Sequence, residues 1–176
     1  MRMTKKRQSS RYTAPKWLKW TLLALTVVLL LVLGTGYWFY SGIFDKKSEG
    51  FSDSEQIALS ETPLTEVNRT ERYNGDQVVH IVKGKAEDGS GTAFIEKESK
   101  ELIEYIAESE MISEAALNQQ WQSSCDKCEW RSMQLAMENA IPYWEITYID
   151  AQGRYVFAYF DIQSGERKQQ FAFKQS

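Results

Sequence analysis

The sequence predicts an α+β protein with an N-terminal transmembrane helix followed by two units, each one helix packed on a four-stranded antiparallel sheet. Three observations lead there. Residues Thr21–Tyr40 form a run of twenty without a charge. Beyond it, a helix-start signal is followed by β-rich segments separated by glycine-containing turns. The same order of signals then restarts near residue 109.

The uncharged run sets the location. A helix rises about 1.5 Å per residue, so twenty residues cross roughly the 30 Å hydrocarbon core of a bilayer. All charged residues before it are basic: Arg2, Lys5, Lys6, Arg7, Arg11, Lys16 and Lys19. Such a flank stays in the cytoplasm and sends the rest of the chain outside. The alternative is a cleaved signal peptide, whose apolar region spans about 7–15 residues. The longer run here, with Trp17 and Trp20 at one end and Tyr37-Trp38-Phe39-Tyr40 at the other, favours an anchor. This divides the chain into a basic cytoplasmic tail (1–16), an anchor (17–40) and a polar linker (41–51), ahead of two domains at 52–108 and 109–176.

Charge divides at the same place. Beyond Tyr40 lie 14 basic and all 24 acidic residues, a net charge of −10. That argues against a nucleic-acid or anionic-lipid surface, both of which need basic patches. An aromatic content of 13% implies a folded core.

In the first unit, Ser52-Asp53-Ser54-Glu55 offers a capping box with Ser52 as N-cap, and a short helix should end before Pro63. Strands follow at Leu64–Tyr73, Gln77–Lys85 and Thr92–Lys97, with Asn74-Gly75 as the hairpin signal between the first two. Glu101–Glu108 reads as strand rather than helix. In the second unit, Ser113 is an N-cap candidate, and Leu117 and Trp121 lie one turn apart on one helix face. Trp130–Glu138, Pro142–Asp150, Arg154–Asp161 and Arg167–Lys174 are the strand candidates. Units of about sixty residues are marginal alone, so the two should pack together.

The segments Trp144-Glu145-Ile146-Thr147-Tyr148-Ile149-Asp150, Gly153, Tyr159-Phe160-Asp161 and Ser164-Gly165-Glu166 resemble the PepSY-like, cystatin-like αββββ unit. Together with Tyr73-Asn74-Gly75, Val82-Lys83-Gly84-Lys85, Gly91-Thr92-Ala93 and Ile112-Ser113-Glu114, the ordered set is similar to the membrane-anchored YpmB/TseB-like proteins of Gram-positive bacteria. The resemblance implies tandem cystatin-like domains. It also implies a non-enzymatic regulator of cell-wall elongation that works beside a penicillin-binding transpeptidase. No catalytic motif carries over, and Cys125-Asp126-Lys127-Cys128 is not part of the pattern.

The residues themselves offer little catalysis. His80 is the one histidine and sits in a valine-rich strand, as a structural histidine does. One histidine and two cysteines cannot supply the four Cys/His ligands of a structural zinc site. Nucleophile-elbow and Gly-rich phosphate motifs are absent, so no cofactor is expected. Asn68-Arg69-Thr70 matches a glycosylation sequon and reads as ordinary strand. Cys125 and Cys128 could form a disulfide, remain thiols, or exchange disulfides. Their place at a helix C-terminus, beside Asp126 and Glu129, disfavours a reactive thiolate. Of the aromatics, most must be core. Trp144, Tyr148, Tyr155 and Tyr159 are candidates for a partner surface if exposed. The leading reading is a tethered protein-interaction module. Its alternatives are an inhibitor of an extracytoplasmic peptidase or wall hydrolase, and thiol–disulfide exchange through Cys125 and Cys128.

Overall fold

A computed structural model describes residues 16–174 of the chain. The basic tail residues Arg2, Lys5, Lys6, Arg7 and Arg11 lie outside the described residues. The chain divides into two units, Met1–Lys47 and Ser48–Ser176. In the first, helix α1 runs Lys16–Lys47. Its stretch Trp17–Trp38 has a mean hydropathy of 2.1 and is long and apolar enough to cross a membrane. The expected linker from residue 41 is helical as far as Lys47. Its composition is unpatterned, but no proline interrupts it. An existing helix gains one hydrogen bond for each residue it adds, so extension is cheap where nucleation is not.

In the second unit, helix α2 (Phe51–Glu61) is capped by Gly50 rather than by Ser52. Gly50 has φ +84°, a left-handed conformation that glycine adopts without strain. The start moves back because Phe51 packs edge-on against His80, with ring centroids 4.9 Å apart. Glu55, expected to close the capping box, instead accepts a hydrogen bond from Thr70 Oγ1 at 2.6 Å. Strands β1 (Leu64–Asn74), β2 (Val78–Ala86), β3 (Gly89–Glu96) and β4 (Leu102–Ala107) then form an antiparallel sheet in chain order. Residues 101–108 therefore hold a strand. A single 3₁₀ turn, Glu108–Glu110, leads on to helix α3 (Glu114–Ser124). There the expected cap forms: Ser113 Oγ accepts from the Ala116 amide at 3.2 Å. Strands β5 (Glu129–Glu138), β6 (Ile141–Ile149), β7 (Arg154–Asp161) and β8 (Arg167–Lys174) make the second four-stranded sheet, again in chain order.

Alternation along β2 assigns the faces of the first sheet. His80 and Val82 face α2, and Val82 joins Ala58, Leu64, Ala93 and Ile95 in a small core beneath it. Val79 and Ile81 face the other way. With Tyr73 and Phe94 they belong to a larger core that also holds Leu117, Trp121, Trp144 and Ile146 of the second sheet and its helix. The first sheet is thus buried on both faces, and the two αββββ units share one continuous core.

His80 is fully buried, and its Nδ1 lies 2.7 Å from Ser54 Oγ. Nε2 has no protein partner among the described residues, so a charged ring would bury an unsatisfied N–H. Burial first, then the nearby cations Lys97 and Arg72, hold the His80 pKa below histidine's ordinary 6.5. The unfolded chain therefore takes up a proton that the folded one refuses. Stability of the Ser48–Ser176 unit should fall as pH drops from 7 to 5.5, by up to about 1.4 kcal/mol per pH unit. His80→Gln should remove most of that slope in urea titrations at several pH values; an unchanged slope would refute the assignment.

The β5–β6 hairpin turns on Asn139 (φ 51°) and Ala140 (φ 60°), between the paired Glu138 and Ile141. This two-residue turn requires positive φ at both positions, which suits asparagine and glycine but strains alanine. Ala140→Gly should stabilise the Ser48–Ser176 unit by about 0.5–1 kcal/mol, because the lost strain exceeds the added chain entropy. A thermal midpoint at or below that of the parent chain would contradict this.

Candidate functional site

Sites of chemistry are sparse. The Ser54–His80 pair is buried beneath α2 and cannot meet a substrate. Among the described residues, no group of three or more His, Cys, Asp or Glu side chains could hold a metal ion. Cys125 and Cys128 are joined as a disulfide. It closes the turn between α3 and β5, where Lys127 adopts φ 58°. Both cysteines are half-buried against the shared core.

The four aromatics singled out in the sequence do not share one surface. Register and alternation put Trp144 and Tyr148 on the side of the second sheet that α3 covers. Trp121 of α3 meets the Tyr148 ring edge-on at 5.4 Å. Both are buried, so neither belongs to a partner surface. Tyr159 lies on the opposite face, but it too is buried. Tyr155, half-buried on that same face, packs on Phe157 at 5.2 Å.

That opposite face carries the most distinctive constellation. β8 is the edge strand of its sheet, and every residue in it is exposed. Phe171 is 48% and Phe173 56% exposed. Phe171 stands edge-on to Tyr159 and Phe173 edge-on to Phe157, each at 6.1 Å. The signal for these two was present in the sequence, since Phe171 and Phe173 alternate along a terminal strand. A late strand with charged ends does not by itself reveal which face stays uncovered.

A pocket of about 460 Å³ opens on this face, between the end of β1 and the aromatics of β7 and β8. Its polar wall is a hydrogen-bonded group at the junction of the two sheets. The Tyr73 hydroxyl donates to Glu138 Oε1 at 3.0 Å and lies 3.5 Å from Glu145 Oε2. Gln134 Nε2 donates to Glu145 Oε1 at 2.8 Å. Glu145 is only 5% exposed. Burial, reinforced by hydrogen bonding to Tyr159, pushes the Tyr73 phenol far above its ordinary value, and burial pushes Tyr159 up to about 12. Both phenols are therefore protonated donors at any physiological pH. Burial, then a hydrogen bond with Asp76, raises Glu138 above the usual carboxylate range. That hydrogen bond and the Asn139 amide lower Asp76.

A larger groove of about 560 Å³ lies by the start of α3, but its cations Arg69 and Lys83 are both engaged by Glu71. At the aromatic pocket, by contrast, no described cation lies within ion-pair distance of Glu138 or Glu145. A perturbed carboxyl, Glu138, in a cleft beside exposed aromatics marks the better candidate for recognition.

Comparison with known proteins agrees with the architecture. The domain model described as "Cell wall elongation regulator TseB-like domain" matches residues 54–95, which run from α2 into β3. The chain is 27% identical over 152 residues to the Bacillus subtilis protein named "Probable cell wall elongation regulator TseB", covering 80% of this chain and 88% of that one. The solved structure of the YpmB protein from Bacillus subtilis superposes with a TM-score of 0.65 at 25% identity, over 70% of this chain and 98% of its own. Alike in sequence along four-fifths of its length and in fold across nearly all of the solved relative, the chain is similar to the YpmB/TseB-like proteins.

Proposed function

We propose that this chain is a membrane-tethered regulator of cell-wall elongation that acts by docking, without catalysis, on an extracytoplasmic penicillin-binding transpeptidase. The observation that carries the proposal is the relative named as a probable cell wall elongation regulator, matched across both units of this chain. The aromatic edge of the second sheet supports docking as the means. Phe171 and Phe173 offer rigid apolar area of the kind that dominates interface energetics. The apolar helix supports the tether, and Lys16 and Lys19 at its start, with the basic residues before them, favour a cytoplasmic N-terminus. Confinement to one membrane raises the effective concentration of a partner anchored there, so a modest interface suffices.

The test is site-specific photocrosslinking in cells with the full chain. A photoreactive residue at position 173 should capture a penicillin-binding transpeptidase. One at position 59, exposed on α2, should not. Crosslinks from 173 that contain no wall-synthesis enzyme would reject the docking reading.

A further inference from the structure

We infer that the pocket between Tyr73 and the β7–β8 aromatics receives a cationic side chain, the guanidinium or ammonium of an arginine or lysine, presented by the docking protein. The inference rests on the docking reading and specifies the chemistry of the partner's contact.

Charge complementarity carries it. Glu145 is almost completely buried, and the groups bonded to it are neutral: Gln134, Tyr73 and Tyr159. Glu138 is half-buried beside it and bonded to Tyr73. A carboxylate taken from water is compensated most fully by a cation in direct contact, and no described cation lies within ion-pair distance of either group. The nearby basic residues are otherwise engaged. Arg72, on the pocket wall, donates from Nε to Asn74 Oδ1 at 3.0 Å. Lys168 on β8 is paired with Glu166 at 2.6 Å.

The remaining walls suit the same occupant. Phe157, Tyr159, Phe171 and Phe173 line the opening, packed edge-on against one another. A guanidinium or ammonium over an aromatic face is attracted by the ring quadrupole, and its methylene stem covers the apolar surface that water would otherwise wet. A cavity of about 460 Å³ admits one such side chain. A second copy of this chain is a poor occupant of the adjoining edge. Antiparallel pairing of β8 with itself, centred on Gln170 and Phe171, would set Arg167 against Lys174, and like charges directly opposite are destabilising.

The experiment uses the full chain in lipid nanodiscs, with 4-fluorophenylalanine at positions 171 and 173 as the reporter. N-acetylarginine amide should shift both fluorine signals saturably. N-acetylcitrulline amide, its neutral isostere, should bind about tenfold or more weakly. Glu145→Gln should weaken the arginine probe to a similar extent while leaving the thermal midpoint high. Phe173→Ala, at a surface position that cannot unfold the core, should weaken it as well. Equal binding of citrulline, or saturation by N-acetylglucosamine but not by arginine, would overturn the cation site, as would no shift at all. If crosslinking from 173 captures the transpeptidase while the arginine probe fails, the pocket inference falls and docking stands. If the probe binds while crosslinking captures no wall enzyme, the assignment of the cation to a docking protein falls.

Discussion

The contact on which the architecture depends is Tyr73, at the end of β1. Its ring belongs to the core shared by both sheets, and its hydroxyl reaches Glu138 of the second sheet. The turn that follows is held equally closely. A Cβ on Gly75 would come within 2.9 Å of the Met137 carbonyl oxygen, so only glycine fits there. Asp76 in turn accepts from the Asn139 amide at 3.2 Å, tying the β1–β2 turn to the β5–β6 turn. Two αββββ units that would be marginal alone are joined by this seam and by the apolar surface behind it. The same seam collects the carboxyls that give the pocket its charge.

Much of the fold was legible because its signals are local. Asn74-Gly75 marks the first hairpin, β-branched Val78, Val79, Ile81 and Val82 mark β2, and Ser113 caps α3 as its position suggests. What was not legible depended on tertiary contact or on backbone continuity. Phe51 was drawn into α2 by His80, a residue 29 positions away, which displaced Ser52 from the cap. The helix past Tyr40 continued because nothing stopped it, although its composition looked like a linker. The turn at Asn139-Ala140 escaped notice because alanine is a poor signal for positive φ.

The candidate site was less legible than the fold, and the reason is geometric. Aromatic alternation shows that two faces exist, but not which of them a neighbour covers. Trp144 and Tyr148 were as plausible on the surface as Tyr155 until α3 was seen to lie over them. The acids of the pocket come from β5 and β6 and meet a tyrosine some seventy residues earlier in the chain. No spacing rule predicts that meeting.

The two units repeat one topology but do not repeat its burial. The first sheet has α2 on one face and the second unit on the other, and the middle of β2 is buried on both sides. The second sheet has α3 on one face, and on its other face Tyr73 of β1 meets Glu138, Glu145 and Tyr159. β7 and β8 extend beyond that contact, so their aromatics end the sheet without a cover. A protein with no further role for that face would gain solubility by making it polar. Phe171 and Phe173, beside carboxyls with no described cation within ion-pair distance, fit the proposed docking role. In the proposed role, confinement to one membrane would let that docking be weak and reversible.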